Sequence, residues 1–310
     1  MKTRIILFFA VVVALAFTSC NSYKKSKTGM PYKIYASKNG TKVDSGSFIK
    51  LHFSQKLNDS LLYESYGKLP IYFQYLANSP GYEVTEIFSQ LKNGDSVVSI
   101  QFIDTLLKKN PMGMPPFMKK GDKIFTYVTI LGVFKDWEAS AKDEQNEKKI
   151  FLDKEIKEVG DSIAKNKITA IKTKNGAYVQ FIEPGTGTVV DSGSYVSIKY
   201  KGTSFSGKIF DTNMDTSFHH TDPIGFTAGT GGMPGGSIIG LDDALLLMRV
   251  GSKAKVYIPS LLGYGASPGT QDIKPFEHLI FEVEILSVNT KAPTASNVPS
   301  IQIEQPQIKN

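Results

Sequence analysis

Side chains that commonly do covalent, metal or redox chemistry are scarce in this chain, whose 310 residues hold one cysteine and four histidines. The lone Cys20 excludes an intrachain disulfide and any zinc site built from thiolates. His219 and His220 form the only histidine pair and, without an acidic or thiolate partner, read as a solvated loop rather than a metal site. No serine or cysteine carries the local signature of a hydrolase nucleophile. The run Gly229-Thr230-Gly231-Gly232-Met233-Pro234-Gly235-Gly236 invites a phosphate-loop reading, but no Gly-Lys-Ser/Thr follows, and a mobile loop at the rim of a pocket is expected instead. Neither a metal nor a cofactor is expected. The net charge of +7, from 36 basic and 29 acidic residues, is too mild and dispersed to argue for nucleic acid. With 41% apolar residues the chain is long enough for two domains, and those elements must position whatever chemistry it performs.

The chain begins with an address. Lys2 and Arg4 precede the run from Ile5 to Phe17, which is too short to span a bilayer stably and right for the apolar region of an export signal. Leu15-Ala16-Phe17-Thr18-Ser19-Cys20 resembles a bacterial lipoprotein signal, with Phe17 standing where Leu is preferred. That resemblance implies a signal peptide over residues 1–19, a lipid on Cys20, and attachment to a membrane of the bacterial cell envelope, facing the periplasm. An ordinary cleaved secretory signal or a retained anchor are the other readings. Residues 20–29, with Lys24, Lys25 and Lys27 among Ser, Thr and Asn, lack hydrophobic periodicity and read as a flexible tether.

The remainder contains an internal repeat. Val43-Asp44-Ser45-Gly46-Ser47 is matched 147 residues later by Val190-Asp191-Ser192-Gly193-Ser194. In both places a turn signal leads into an alternating strand, with Ile49, Leu51 and Phe53 on one face of the first and Val196, Ile198 and Tyr200 on that of the second. Leu91-Lys92-Asn93-Gly94 answers Met248-Arg249-Val250-Gly251, and Ile130-Leu131-Gly132-Val133 answers Ile285-Leu286-Ser287-Val288. Two copies of one domain are therefore expected, at 30–135 and 168–288. Between them, 136–167 is highly charged with Leu152, Ile156, Val159 and Ile163 at helical spacing, a connecting helix whose stripe packs on a neighbouring domain. Trp137 is expected to be packed, and 289–310 reads as a disordered tail.

Within the second copy, Val196-Ser197-Ile198-Lys199-Tyr200-Lys201-Gly202, Gly207-Lys208-Ile209-Phe210-Asp211, Ile238-Ile239-Gly240-Leu241, Gly263-Tyr264-Gly265-Ala266 and Leu279-Ile280-Phe281-Glu282-Val283-Glu284-Ile285 occur in that order. The ordered set resembles the FKBP-type peptidyl-prolyl isomerase domain over essentially its full length. The resemblance implies an α+β fold in which a five-stranded twisted antiparallel sheet wraps around a short helix, about Leu241 to Met248, capped by Gly251. It also implies a pocket formed by Tyr200, Phe210, Asp211, Phe226, Ile238, Tyr264 and Phe281, with Leu241 as its floor. Its substrates would be proline-containing unfolded or partly folded polypeptides, here those of exported proteins. Tyr264 Oη and the Ile238 N–H are assigned to substrate carbonyls, the aromatics to walls and Asp211 to the polar edge. Taken singly, each aromatic reads as ordinary core.

Three positions depart from the family pattern. Leu241 stands where Trp is common, Ile224 where an aromatic is usual, and Phe276 where a polar residue is frequent. In the first copy Phe53 replaces Tyr200, Tyr63 and Glu64 take the places of Phe210 and Asp211, and Gly81 falls near Ile238, while nothing answers Gly263-Tyr264-Gly265-Ala266. The first copy is therefore expected to be a degenerate substrate-holding or spacing module, with the methionine-rich loop Lys108 to Lys120 adaptable or simply connecting. The competing function is a non-catalytic envelope chaperone or scaffold, for instance in a surface-motility machine, that keeps the fold.

Overall fold

A computed structural model describes residues 23–77, 81–109, 114–267 and 272–290. The chain divides into two compact units, Met1–Glu147 and Lys148–Asn310. The signal segment, Cys20 and residues 291–310 lie outside the described residues. The first unit comprises β1 (Lys24–Lys25), β2 (Pro31–Tyr35), β3 (Phe48–Leu57), β4 (Ser60–Glu64), β5 (Ile71–Gln74), a 3₁₀ turn (Val84–Gln90), β6 (Ser96–Phe102), α1 (Ile103–Lys109) and β7 (Lys123–Phe134). Helix α2 (Trp137–Lys165) follows and carries the unit boundary within it. The second unit comprises β8 (Ile171–Lys172), β9 (Tyr178–Pro184), β10 (Tyr195–Ser204), β11 (Ile209–Thr212), β12 (Ile224–Thr227), α3 (Ile239–Leu245), β13 (Ser252–Ile258) and β14 (Leu279–Asn289). The class is α+β.

Each unit holds one antiparallel sheet of seven strands, where five were expected in the second; short β8 and the split of one edge between β11 and β12 account for the difference. The order β4-β3-β7-β6-β2-β1 with β5 on β3 is the same as β11-β10-β14-β13-β9-β8 with β12 on β10. Even the irregularities coincide. The β3–β7 ladder slips at Lys50/Leu51 and the β10–β14 ladder at Ser197/Ile198, positions 147 apart. The repeated Asp-Ser-Gly-Ser forms the same turn twice, because Gly46 (φ +93°) and Gly193 (φ +90°) supply a backbone that other residues resist. Their N–H groups donate to Tyr75 O and Ala228 O, each at 2.8 Å.

Alternation along the strands builds the cores. Val196, Ile198 and Tyr200 face inward from β10 and meet Phe281, Val283 and Ile285 of β14, while Glu282 and Glu284 face the other side. Helix α3 lies on this sheet, and Gly240 permits the contact, since a Cβ there would stand 2.5 Å from Ile258 Cγ2. The helix ends at Leu245, earlier than Met248, because Leu247 and Met248 donate to carbonyls three residues back and tighten the chain out of α geometry. Gly251 does have φ +84°, but it serves the turn into β13, donating to Ile285 O, and caps no helix.

Further expectations are corrected in both units. Residues 24–28 are not a free tether: Lys24 and Lys25 pair with Tyr32 and Pro31, and Thr28 Oγ1 and N–H both donate to the Glu86 carboxylate. Asn289 is likewise in a strand rather than a tail, opposite Tyr195. Trp137 is 67% exposed rather than packed. On β4 the ladder slips by one residue from the sequence alignment, since Gln55 opposes Tyr63 as Gly202 opposes Asp211. Leu62 and Tyr63, not Tyr63 and Glu64, therefore occupy the places of Phe210 and Asp211. Ser65 answers Asn213, each accepting the N–H of its partner strand, from Phe53 at 2.8 Å and from Tyr200 at 2.7 Å.

Candidate active site

The second unit holds a cleft of about 240 Å³ lined by Tyr200, Asp211, Ile224, Phe226, Gly236, Ser237, Ile238, Leu241, Tyr264 and Phe281. Four strands and two loops converge there. Tyr200 comes from the middle of β10, Asp211 from β11, Phe226 from β12 and Phe281 from β14. Leu241, in the first turn of α3, is buried at the base. Ile238 sits at the N-terminal end of that helix with extended dihedrals. Tyr264 follows the 3₁₀ turn Ser260–Leu262.

Of the eight pocket positions named from sequence, seven line the cleft. Phe210 does not: it packs behind the wall, its ring edge-on to Tyr264 at 6.3 Å and to Phe281 at 5.6 Å. Gly202 makes room for it, because a Cβ there would come within 2.5 Å of Phe210 Cζ.

The polar edge is organised around Asp211. Its Oδ2 accepts from Tyr200 Oη at 2.5 Å and its Oδ1 lies 2.8 Å from His220 Nε2. His220 thus has the acidic partner that its sequence neighbourhood did not reveal. Burial, then the Asp211 hydrogen bond, pushes the Tyr200 phenol well above its ordinary range. Burial, reinforced by the Asp211 charge, also raises Tyr264. Both phenols therefore stay protonated and able to donate at neutral pH. Among the described residues neither Tyr264 Oη nor the Ile238 N–H donates to another protein group, so two donors remain for a guest in the cleft.

Sequence reasoning passed over Asn213, which is fully buried and donates from Nδ2 to Ile198 O (3.2 Å) and Asp222 O (3.1 Å), closing the long loop after β11. An asparagine directly after the Phe-Asp-Thr strand was the available signal. The glycine run lies at the rim, where Gly236 and Ser237 line the cleft. Asp242 of α3 accepts from the N–H groups of Gly229 (3.0 Å) and Gly231 (3.0 Å), and Gly232 N–H donates to Ser237 O at 2.8 Å. The glycines are needed for closeness, since a Cβ on Gly236 would stand 2.2 Å from Thr230 O. Among the described residues no group of three or more acidic, histidine or cysteine side chains could hold a metal.

Residues 187–286 match the family profile described as FKBP-type peptidyl-prolyl cis-trans isomerase. An FK506-binding protein of Neisseria meningitidis is 34% identical over 113 residues, covering 36% of this chain and 96% of that protein. The chain belongs to the FKBP-type peptidyl-prolyl cis-trans isomerase family. Membership places it among the peptidyl-prolyl isomerases. FK506-binding protein 2 of Dictyostelium discoideum is 38% identical over 98 residues, 32% of this chain and 68% of that one. The FKBP-type isomerase FkpA of Escherichia coli is 34% identical over 144 residues, 46% of this chain, which spans about half (48%) of that relative's length. The FKBP cleft described above lies wholly within the profile match.

Proposed function

We propose that the second unit catalyses cis/trans isomerisation of X–Pro bonds in unfolded or partly folded exported polypeptides, by desolvation and two hydrogen bonds. The observation that carries this reading is an apolar cleft with two unpartnered donors, Tyr264 Oη and the Ile238 N–H, at its lip. Rotation about the amide is opposed by resonance, with a barrier of ~18–20 kcal/mol. The planar amide is the more dipolar state, so transfer from water to the cleft favours the twisted one. A thousand-fold acceleration requires only ~4 kcal/mol of such differential stabilisation. Tyr200, Phe226, Leu241 and Phe281 exclude water, Phe210 supports Tyr264 and Phe281 from behind, and Asp211 fixes Tyr200 and His220. No nucleophile is required.

The test is NMR exchange spectroscopy on a proline peptide with the full chain. Tyr264→Phe combined with Asp211→Ala is expected to lower kcat/KM at least tenfold, about 1.4 kcal/mol of transition-state binding. An unchanged rate would remove the site assignment.

The same reading places the protein on a membrane of the bacterial envelope through a lipid on Cys20, with the first unit as a degenerate, non-catalytic copy. Among the described residues no helix is long and apolar enough to cross a membrane. Metabolic labelling with a fatty acid is expected to mark the wild type and not Cys20→Ala; an unlabelled wild type would exclude the anchor.

A further inference from the structure

Helix α2 was expected to be a charged connector, yet one of its carboxylates is interior. Glu155 is 2% exposed and receives two hydrogen bonds, from Ser260 Oγ and from the Leu261 N–H at 3.0 Å. Both donors belong to the 3₁₀ turn that precedes Tyr264. Ser260 is fully buried, and each of its polar groups is engaged. Its N–H donates to His278 Nδ1 at 3.1 Å, and its carbonyl accepts from Gly263 and Gly265, each at 2.9 Å. Those two glycines flank Tyr264. A continuous set of hydrogen bonds therefore runs from Glu155 through Ser260 to both sides of the tyrosine. A second contact reinforces it: Phe151, one helical turn before Glu155, meets Phe276 edge-on at 5.4 Å, and the Phe276 N–H donates to Gly265 O at 2.8 Å.

We infer that Glu155 is a positioning residue for isomerisation, holding the Ser260 turn so that the Tyr264 hydroxyl is fixed at the lip of the cleft. This rests on the isomerase reading of that cleft. A buried carboxylate is costly unless well satisfied. Burial raises its carboxyl above the ordinary range, and the bonds from Ser260 and Leu261, with nearby His278, oppose that rise. A carboxyl group at this depth is a poor choice for simple packing, which Val159 and Ile163 of the same helix already provide. Its acceptor geometry matches the two donors of the turn. A displacement of about 1 Å in such a group can cost on the order of 100-fold in rate.

The experiment compares the full-length wild type with Glu155→Ala, Glu155→Gln and Val159→Ala, below their melting temperatures. Glu155→Ala is expected to lower kcat/KM about tenfold, mainly through kcat. Glu155→Gln, which can accept from Leu261 and donate to Ser260 Oγ, is expected to recover most of the loss. Val159→Ala, which loosens the helix without touching the turn, should reduce stability and spare the rate. In a Tyr264→Phe background Glu155→Ala should add little, because both changes remove the same contact. Amide hydrogen exchange at Gly263 and Gly265 reads the placement independently of catalysis, and Glu155→Ala should accelerate it. Unchanged exchange, full additivity with Tyr264→Phe, or equal rate losses in Glu155→Ala and Val159→Ala would overturn the inference. A wild type without isomerase activity would instead reject the function proposed for the cleft, while the exchange measurement would still decide what Glu155 holds.

Discussion

Both oxygens of Asp211 are committed, one to Tyr200 and one to His220. The two partners differ in exposure, and that difference sets what each is worth. His220 is 43% exposed, so water can replace it, whereas Tyr200 is 7% exposed and gives the Asp211 carboxylate a charge-assisted bond from within the wall of the cleft. Tyr200→Phe is therefore expected to destabilise the second unit by about 1–3 kcal/mol, read as a lower urea midpoint. His220→Ala should cost less than 1 kcal/mol by the same measure. Tyr200, Leu241 and Phe281 were legible in the sequence because each sits inside a short block that fixes both its element and its face, whereas Phe226 lies outside every block and was placed by the resemblance alone. His220 was not legible, because nothing in residues 214–222 indicates where a loop of that length folds back. Glu155 escaped for the opposite reason: a charge on a charged helix is taken to face water, and only the tertiary structure supplies the donors that bring it inside.

At the scale of elements, the loop 229–237 owes its shape to one carboxylate on α3. Asp242 accepts from two backbone N–H groups of the loop while being only 5% exposed. Burial raises its carboxyl, although those N–H bonds pull in the other direction. Asp242→Ala leaves the loop donors without their acceptor and is expected to cost about 1–3 kcal/mol, with faster exchange of the Gly229 and Gly231 amides as the local readout. The turns and strands of both units were legible because Asp-Ser-Gly-Ser and strict alternation demand them. The register of β4 was not. One residue more in the second hairpin, invisible to periodicity, shifts every partner downstream and moves Tyr63 into the place of Asp211. The two-residue strand β1 was equally hidden, since Lys24-Lys25 has no apolar pattern and is held by backbone pairing alone.

For the molecule as a whole, acid is the informative variable, because its buried and paired carboxylates respond in opposite directions. Burial alone would raise Glu282, but Lys201 at 2.8 Å and Lys255 at 3.0 Å outweigh it and hold the carboxyl below its ordinary value. In the first unit burial would also raise Asp143, and Lys50 and Tyr72 outweigh it in the same way. A carboxylate lowered by folding contributes stability above its unfolded pKa, about 3.9–4.3, and that contribution is lost as the pH falls through the folded value. Asp242 and Glu155, which are raised, behave oppositely: their protonated forms are favoured by folding, so they oppose unfolding more at low pH. Glu282→Gln is accordingly expected to be less stable than wild type at pH 7 and to converge with it below about pH 4, in urea midpoints followed against pH. The division into two units was legible from length and repetition, and the placement of the unit boundary inside α2 was not, because a uniformly charged helix shows no break.

The pairing of Lys24 and Lys25 with β2 decides what the outer edge of the first sheet offers a neighbour. Both lysines are exposed, and β1 is the last strand on that path. A two-residue, doubly charged edge is a poor template for pairing with another chain, so the first sheet is blunted against edge-to-edge aggregation.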